Sequence, residues 1–250
     1  MLNRSIACSS HLWRAITMGL LALVVTACAT AQAPNAASPQ TEAVEVEQPA
    51  LLLVVGQATD RDQLMTYSRA LPPIYAANGG RYLAVGGPGR GVEWHVAPYT
   101  DRSIVLAVFP SAEARDGFWW GDAYREAIKL RDNAGVFTVY GLSAASATTD
   151  LSPVEKAMFV VALSGEAANV HDNSLFAALG EGAIRLTPDG GSDITPLEGD
   201  PLFTRMFLYA VPAQTREAAA IALAEAVGAT GEGYALAASV SGFAPPPAAD

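Results

Sequence analysis

Apolar residues recur along the chain in an order that predicts strands and helices twice over. In the first half, short apolar runs predict strands, and apolar residues at helical spacing between positions 64 and 75 predict a helix. The predicted elements are strands at 51–55, 81–85, 103–109 and 136–141 and helices at 64–75 and 112–131. The segment 103–109 is apolar on both faces, which is typical of a central strand. The glycine-rich stretch 86–91 is predicted to form a bend or loop.

The second half repeats this order. The predicted strands are 157–163, 183–186, 204–211 and 234–240, and the predicted helices are 170–179 and 215–227. Local details also recur, since Pro110 and Pro212 each follow a strand and precede a helix. Arg102 and Arg205 lie beside the third strands. Glu93 precedes the first of these strands as Glu198 precedes the second.

Each half therefore reads as a βαββαβ unit of the ferredoxin-like kind. A four-stranded sheet with both helices on one face leaves its other face bare, and that face needs a partner. Two fused units supply the partner within one chain. The predicted fold class is α+β, with two tandem ferredoxin-like units forming a pseudo-dimeric α+β barrel and the helices outside.

The N-terminus predicts export and a lipid anchor. Two arginines precede the apolar run 15–25, which is too short for a comfortable membrane span and is typical of a signal peptide. Val25-Thr26-Ala27-Cys28 then resembles the lipobox of bacterial lipoproteins. This resemblance implies cleavage after residue 27, a diacylglycerol thioether on Cys28 and acylation of the new amine. An ordinary secretory signal or an uncleaved signal anchor is the alternative.

These features divide the chain into six parts and set its expected location. The expected parts are a signal peptide at 1–27, a disordered tether at 28–49, a first unit at 50–142, a linker at 143–155, a second, degenerate unit at 156–243 and a disordered tail at 244–250. We expect the protein to face the periplasm, and Ala29 favours the outer over the inner membrane. The formal net charge of −10 disfavours nucleic acid as a partner.

The first half carries a motif made of Gly79-Gly80-Arg81-Tyr82-Leu83, Gly86-Gly87, Arg102, Phe109-Pro110-Ser111 and the aromatic residues from Trp119 to Tyr124. In this motif, residues 51–142 resemble a bacterial domain-of-unknown-function family numbered 1330, which belongs to the dimeric α+β barrel superfamily. This resemblance implies the fold and the pairing of two units. Val85 stands where the family commonly has arginine, and Val92-Glu93-Trp94 stands where it has Leu-Glu-Gly. The second half keeps Leu197-Glu198-Gly199 but lacks the element at 79–83.

Metal and cofactor chemistry have little support in the sequence. His95 and His171 are the only histidines after residue 27, and no cysteine lies near either, so ligand sets built from several Cys and His cannot form. A single histidine could serve as an axial haem ligand or a general base, because related barrels include haem enzymes and metal-free monooxygenases. We expect neither a metal site nor a bound cofactor.

The candidate ligand-binding residues are Arg81, Tyr82, Glu93, His95, Arg102, Trp120 and Tyr124. An arginine of this set could hold a carboxylate by two hydrogen bonds, and Glu93 could act as a base or fix the arginine. The alternative is an Arg–Glu pair that only satisfies polar groups at the edge of a strand. Trp120 and Tyr124, four residues apart, are expected to share one helix face, with Trp119 pointing elsewhere. That pair could either pack in the core or form the wall of a ligand pocket.

Two hypotheses of function follow. The first is a non-enzymatic envelope lipoprotein that binds a small apolar or mixed molecule, or an envelope protein, near the membrane. The second is a monooxygenase- or isomerase-type enzyme, cofactor-independent or linked to haem, that works in the same cleft. The degenerate second unit favours the first, because catalysis tolerates lost polar groups less than packing does. A purely structural module is a third reading.

Overall fold

A computed structural model describes residues 47–96, 101–152, 155–164, 172–201, 203–228 and 235–240. The predicted signal peptide, Cys28, most of the tether, His171 and the tail lie outside these residues. Within the described residues, no helix has the length and apolar character needed to cross a membrane.

The first half contains five strands and three helices. They are β1 (Ala50–Ala58), α1 (Arg61–Ala77), β2 (Arg81–Pro88), β3 (Gly91–Val96), β4 (Ser103–Phe109), α2 (Ala112–Trp120), α3 (Asp122–Ala127) and β5 (Gly135–Ser143), with a 3₁₀ turn at Ile128–Arg131 before β5. Asp60 caps α1 and Ser111 caps α2, each accepting a hydrogen bond from a backbone N–H in the first turn.

The second half has a similar order, with α4 and β7 much shorter than α1 and β2. Its elements are β6 (Lys156–Leu163), α4 (Asp172–Ala178), β7 (Ile184–Arg185), β8 (Ser192–Glu198), β9 (Arg205–Pro212), α5 (Arg216–Gly228) and β10 (Ala235–Val240), with a 3₁₀ turn at Ala213–Thr215. Another 3₁₀ turn, at Ser146–Thr148, lies between the two halves.

The described strands form one sheet that closes into a barrel. Their order is β6-β10-β3-β2-β4-β1-β5-β8-β9-β7, and β9 also pairs with β6. One strand of each half crosses to the other: β3 pairs with β10, and β8 pairs with β5. This exchange closes the barrel at two places and gives the predicted pseudo-dimeric α+β architecture.

Alternation along the strands divides the core into an interior layer and two outer layers. In β4, Ile104, Leu106 and Val108 belong to the cluster inside the barrel, together with residues of both halves. Ala107 and Phe109 belong to the cluster under α1 and α2. A third cluster lies under α4 and α5. Because β4 pairs with both β1 and β2 and buries both faces, the prediction of a central strand is confirmed.

One local prediction is refined and another is wrong. The stretch 86–91, predicted as a bend or loop, contains a tight bend between β2, which continues to Pro88, and β3, which begins at Gly91. The chain reverses through Pro88 and Gly89, where the positive φ of Gly89 suits the turn, and Gly87 and Arg90 exchange two backbone hydrogen bonds. The helix predicted at 112–131 breaks at Gly121, whose backbone is extended. Strand β8, which lies between predicted elements, was not predicted.

Candidate ligand cavity

A cavity of about 420 Å³ lies between α1 and the helix-facing side of β1, β2 and β4 in the first half. That volume falls in the range of small-molecule sites. It is lined by Leu52, Val54, Gly56, Leu64, Met65, Tyr67, Ser68, Leu71, Tyr75, Tyr82, Val85, Gly86, Gly87, Arg90, Ser103, Val105, Tyr124, Arg131 and Phe137. Met65 and Arg90 are exposed, so they mark the opening to solvent.

The wall of the cavity carries a small polar cluster. The hydroxyls of Tyr67 and Tyr124 are 2.9 Å apart and share a hydrogen bond. The Arg131 guanidinium lies over the rings of Tyr67 and Phe137, at 5.3 and 4.4 Å from their centroids. Arg131 donates two hydrogen bonds to the carboxylate of Glu198, one of them 2.9 Å long. The cluster therefore consists of two phenol groups and a guanidinium cation that is already paired with the Glu198 carboxylate.

The phenols of this site remain protonated near neutral pH. Burial raises the pKa of Tyr67, Tyr75, Tyr82 and Tyr124 above the ordinary value, and nearby phenols add to the effect at Tyr75 and Tyr124. At Tyr82, the neighbouring Tyr67 raises the pKa further and the hydrogen bond with Tyr75 lowers it. Arg131 acts against this shift at Tyr67 and Tyr124 without cancelling it. The hydroxyls can therefore donate hydrogen bonds, but they do not act as bases.

Arg131 keeps its charge although it is buried. Burial alone would lower the pKa of its guanidinium, but the hydrogen bonds to Glu198 and the nearby phenol groups raise it. One cation and one carboxylate then balance each other at the wall. Among the described residues that line the cavity, none is Asp, Glu, His, Cys or Lys. In the part of the chain that the structure describes, no group of three His, Cys, Asp or Glu side chains could bind a metal ion.

Small residues on the strands make room for this cavity. A Cβ atom at Gly56 would lie 2.3 Å from the ring of Phe137, so glycine lets that ring pack across β1. At Gly86 a Cβ atom would lie 2.8 Å from the carbonyl oxygen of Arg90. The Gly86-Gly87 pair of the family motif therefore forms a strand end at the cavity wall.

Five of six equivalent positions in the second half carry larger side chains. In the first half, three cross-strand pairs lie on the helix-facing side: Leu52 with Ala107, Val54 with Val105, and Gly56 with Ser103. The same register in β6 and β9 gives Phe159 with Tyr209, Val161 with Phe207, and Leu163 with Arg205. Phe159, Phe207 and Tyr209 are fully buried in the cluster under α4 and α5. These rings fill the space that is open in the first half.

The candidate residues predicted from sequence fall in different places. Tyr82 and Tyr124 line the cavity. Arg81 lies outside the cavity lining, because its guanidinium donates to the backbone carbonyls of Thr148, Thr149 and Leu151 in the linker. Arg81 thus holds the linker to the edge of the first half.

Glu93 and His95 on β3 lie against the second half. Glu93 is 3.7 Å from Arg216 of α5, and the ring of His95 is 6.4 Å from that of Phe159. Burial lowers the pKa of His95, with Glu93 acting against the shift. The carbonyl oxygen of Arg102 accepts a hydrogen bond from the indole of Trp94. None of the three candidates Glu93, His95 and Arg102 lines the cavity.

The aromatic pairing in the second helical segment is the reverse of the prediction. Trp119 is buried and its ring lies 4.7 Å from that of Tyr124, whereas Trp120 is 58% exposed. The reason is the break at Gly121, which removes the i, i+4 relation between Trp120 and Tyr124. Trp120 instead stacks against the guanidinium of Arg125 at 4.4 Å.

Sequence reasoning did not identify Tyr67, Tyr75, Arg131 or Glu198 as parts of one site. The helical spacing of Tyr67 and Tyr75 indicates only a buried helix face. The recurrence of Glu93 and Glu198 was visible, but their partners were not. Arg131 and Glu198 are 67 residues apart and meet only because β8 crosses to the first half.

Comparison with solved structures gives remote likenesses. A protein of unknown function from Rhodopseudomonas palustris is 23% identical, with 40% of this chain and 85% of that chain covered and a TM-score of 0.32. An anthrone oxidase-like protein is 12% identical, with 78% and 92% covered and a TM-score of 0.43. A chlorite dismutase variant from Candidatus Nitrospira defluvii is 8% identical, with 78% and 92% covered and a TM-score of 0.42.

No curated protein shows significant sequence similarity to the chain. Residues 49–144, which include all of β1 to β5, match the model of a family described as a domain of unknown function, DUF1330. This match confirms the resemblance of the first half to that family.

Proposed function

We propose that this chain is a lipid-anchored envelope protein whose first half binds a small, largely apolar molecule in the cavity under α1, without catalysis. The observation that carries the proposal is the cavity itself, which has apolar walls and a localised polar cluster at Tyr67, Tyr124 and Arg131. Such a combination is typical of sites that bury a ligand and orient it through a few polar groups.

The lining favours binding over chemistry. An enzyme that abstracts a proton needs a base whose pKa lies near the working pH. The described lining offers phenols with raised pKa values and a paired arginine instead. The lipid anchor rests on the lipobox-like sequence at 25–28, and it would hold the binding domain near a membrane surface on a tether of roughly 20 residues.

The cavity can be tested with N-phenyl-1-naphthylamine, an uncharged aromatic probe whose fluorescence rises in apolar surroundings. The probe is titrated into the full chain purified in detergent. Val105→Phe places at the cavity wall the residue type that the second half has at the equivalent position, Phe207. Val136→Phe adds the same atoms at a side chain that is 60% exposed and lies outside the cavity lining. Because every protein carries the same detergent, differences between titrations isolate the cavity.

We expect saturable binding to the unaltered chain and to the Val136→Phe variant. The affinity of the Val105→Phe variant should be at least about tenfold weaker, a loss of roughly 1.4 kcal/mol. Absence of saturable binding to the unaltered chain would contradict the proposal. Equal affinity in the Val105→Phe variant would do the same, because the probe would then bind elsewhere.

A further inference from the structure

Arg131, at the wall of the first-half cavity, is bound by a tripeptide from the second half, Leu197-Glu198-Gly199. Leu197 packs against the hydrophobic cluster under α1 and α2. Gly199 has φ +73°, and a Cβ atom there would lie 2.8 Å from the carbonyl oxygen of Phe137. Strand β8 therefore lies close against β5, and it delivers the Glu198 side chain to Arg131 at the cavity wall.

The pair that results is a buried cation with a tethered counter-ion. The Arg131 side chain is 7% exposed and that of Glu198 is 29% exposed. Two parallel hydrogen bonds of this kind hold a carboxylate in a fixed orientation. Glu198 thus accepts two of the hydrogen bonds that the Arg131 guanidinium could otherwise donate to an acidic ligand.

An anionic ligand would meet two penalties in this cavity. It would lose its hydration on entry, and it would find the one cation at the polar cluster already bound to Glu198. Arg90, at the opening, is exposed and offers only a weak, solvent-screened attraction. An uncharged ligand would avoid the first penalty and would not need Arg131.

We propose that Glu198, contributed by the second half, makes the first-half cavity selective for uncharged ligands over anionic ones of the same shape. This inference rests on the function proposed above and assigns its ligand class. Glu198 acts through Arg131, so it is a positioning and charge-setting residue. The degenerate second half is then an essential part of the single site described here, although its own helix-facing side is filled.

The corresponding glutamate of the first half provides a matched control. Glu93 lies on β3, which crosses to the second half as β8 crosses to the first. Its nearest distance to Arg216 is 3.7 Å, and its side chain is 59% exposed. The Glu93→Gln variant removes the same charge from the same chain, but at a site away from the cavity.

The test uses two probes that share one skeleton. N-phenyl-1-naphthylamine is uncharged, and 8-anilino-1-naphthalenesulfonate is the same molecule with a sulfonate added. The measured quantity is the ratio of their dissociation constants for the full chain, with the Val105→Phe variant defining the signal that does not come from the cavity. The variants are Glu198→Gln, Arg131→Gln, the double variant with both changes, and Glu93→Gln.

The unaltered chain should prefer the uncharged probe. Glu198→Gln frees the Arg131 charge and should shift the ratio towards the sulfonate at least about tenfold. Arg131→Gln leaves the carboxylate alone and should shift the ratio the other way. The double variant, which has no charge at the pair, and Glu93→Gln should stay within about twofold of the unaltered chain.

Circular dichroism identifies the variants that fold. An unchanged ratio in a folded Glu198→Gln variant would overturn the inference while leaving the proposed function intact. If neither single variant folds, the double variant provides the test. A change of more than about twofold in its ratio of dissociation constants would overturn the inference. If neither probe binds the unaltered chain, the proposed function fails and the inference fails with it.

Discussion

Val105 and Phe207 occupy equivalent positions in the two halves of the barrel: Val105 lies opposite Val54, and Phe207 lies opposite Val161. Phe207 is fully buried, whereas Val105 is only partly buried because it faces the cavity. The two halves thus share a backbone plan and differ in the volume of a few side chains. This difference makes one half a candidate site and the other a packed support.

The first prediction concerns the stability of these two positions. Phe207→Val removes buried ring atoms from a filled cluster and should lower the free energy of unfolding by about 3 kcal/mol. Val105→Phe places a ring in open space, so the free energy of unfolding should change by no more than about 1 kcal/mol. Chemical denaturation followed by circular dichroism measures both. Similar losses in the two variants would mean that the first-half cavity does not exist in solution.

The second prediction concerns hydrogen bonding in the cavity. Tyr67 and Tyr124 have two hydroxyl protons but share one hydrogen bond, and Arg131 can only donate. No described residue accepts the second proton, so a ligand with an acceptor group gains a hydrogen bond there. The double variant Tyr67→Phe/Tyr124→Phe should weaken binding of the naphthyl ketone 6-propionyl-2-(dimethylamino)naphthalene about tenfold, a loss of about 1.4 kcal/mol.

N-phenyl-1-naphthylamine, which has no carbonyl group, is the control probe for this double variant. Its affinity should change by less than about threefold. Fluorescence titration measures both constants. An equal loss for the two probes would show that the phenols shape the wall without bonding to the ligand.

The third prediction follows from the raised pKa values of the phenols. Burial raises the pKa of Tyr75 well above that of a phenol in the unfolded chain, about 10. The folded state therefore holds this proton more tightly than the unfolded state does. The resulting stabilisation is complete below about pH 10 and is lost as pH rises further. Unfolding free energy should consequently fall above about pH 10.

A Tyr75→Phe variant isolates the part of this fall that belongs to one phenol. The slope between about pH 10 and 11.5 should be smaller in the variant by up to roughly 1.4 kcal/mol per pH unit. Urea denaturation at a series of pH values gives the slope. Identical slopes in the variant and the unaltered chain would show that Tyr75 ionises normally in the folded state.

The fourth prediction separates the two neighbouring tryptophans. Trp119 is buried against Tyr124, so Trp119→Ala should lower the free energy of unfolding by about 3–5 kcal/mol. Trp120 is exposed and contacts the Arg125 guanidinium, so Trp120→Ala should cost no more than about 1 kcal/mol. The denaturation midpoints of the two variants measure these losses of stability. A larger loss of stability in Trp120→Ala than in Trp119→Ala would instead support the continuous helix that the sequence predicts.

The break at Gly121 illustrates what the sequence could reveal and what it could not. Strand β4 and the repeat were predictable, because two-sided apolar runs and Pro at the strand ends are local signals. The helix was overextended because a glycine inside a helical pattern costs only about 1 kcal/mol, which does not locate a break. Tertiary packing of Trp119 against Tyr124 accompanies the broken geometry.

The cavity was less predictable than the fold, for a physical reason. A cavity arises where side-chain volume is missing between packed elements. The small size of Gly56 or Val105 is visible in the sequence, but the side chains that each of them faces in the fold are not. The Arg131–Glu198 pair depends on strand β8 crossing to β5, which requires the sheet order. Tyr82 and Tyr124, by contrast, were candidates from the motif and do line the cavity.

The last prediction concerns the lipid on Cys28. If the sequence at 25–28 is a lipobox, the bacterial cell cleaves before Cys28 and adds lipid to it, so the mature chain begins at that residue. Its mass should exceed that of the unmodified chain from residue 28 by a diacylglycerol and a fatty acyl group. Cys28→Ser should abolish this addition, because the thioether forms on the cysteine sulfur.

Intact-mass spectrometry and membrane fractionation measure these outcomes, and Cys8→Ser is the matched control. Cys8 precedes the apolar run of the predicted signal peptide, so its replacement should leave lipidation and membrane association unchanged. The probe-binding affinity should also be the same for the unaltered and the Cys28→Ser chains, because the residues that line the cavity all lie between Leu52 and Phe137. An unaltered membrane-bound chain whose mass includes residues 1–27 and no lipid would indicate an uncleaved signal anchor instead.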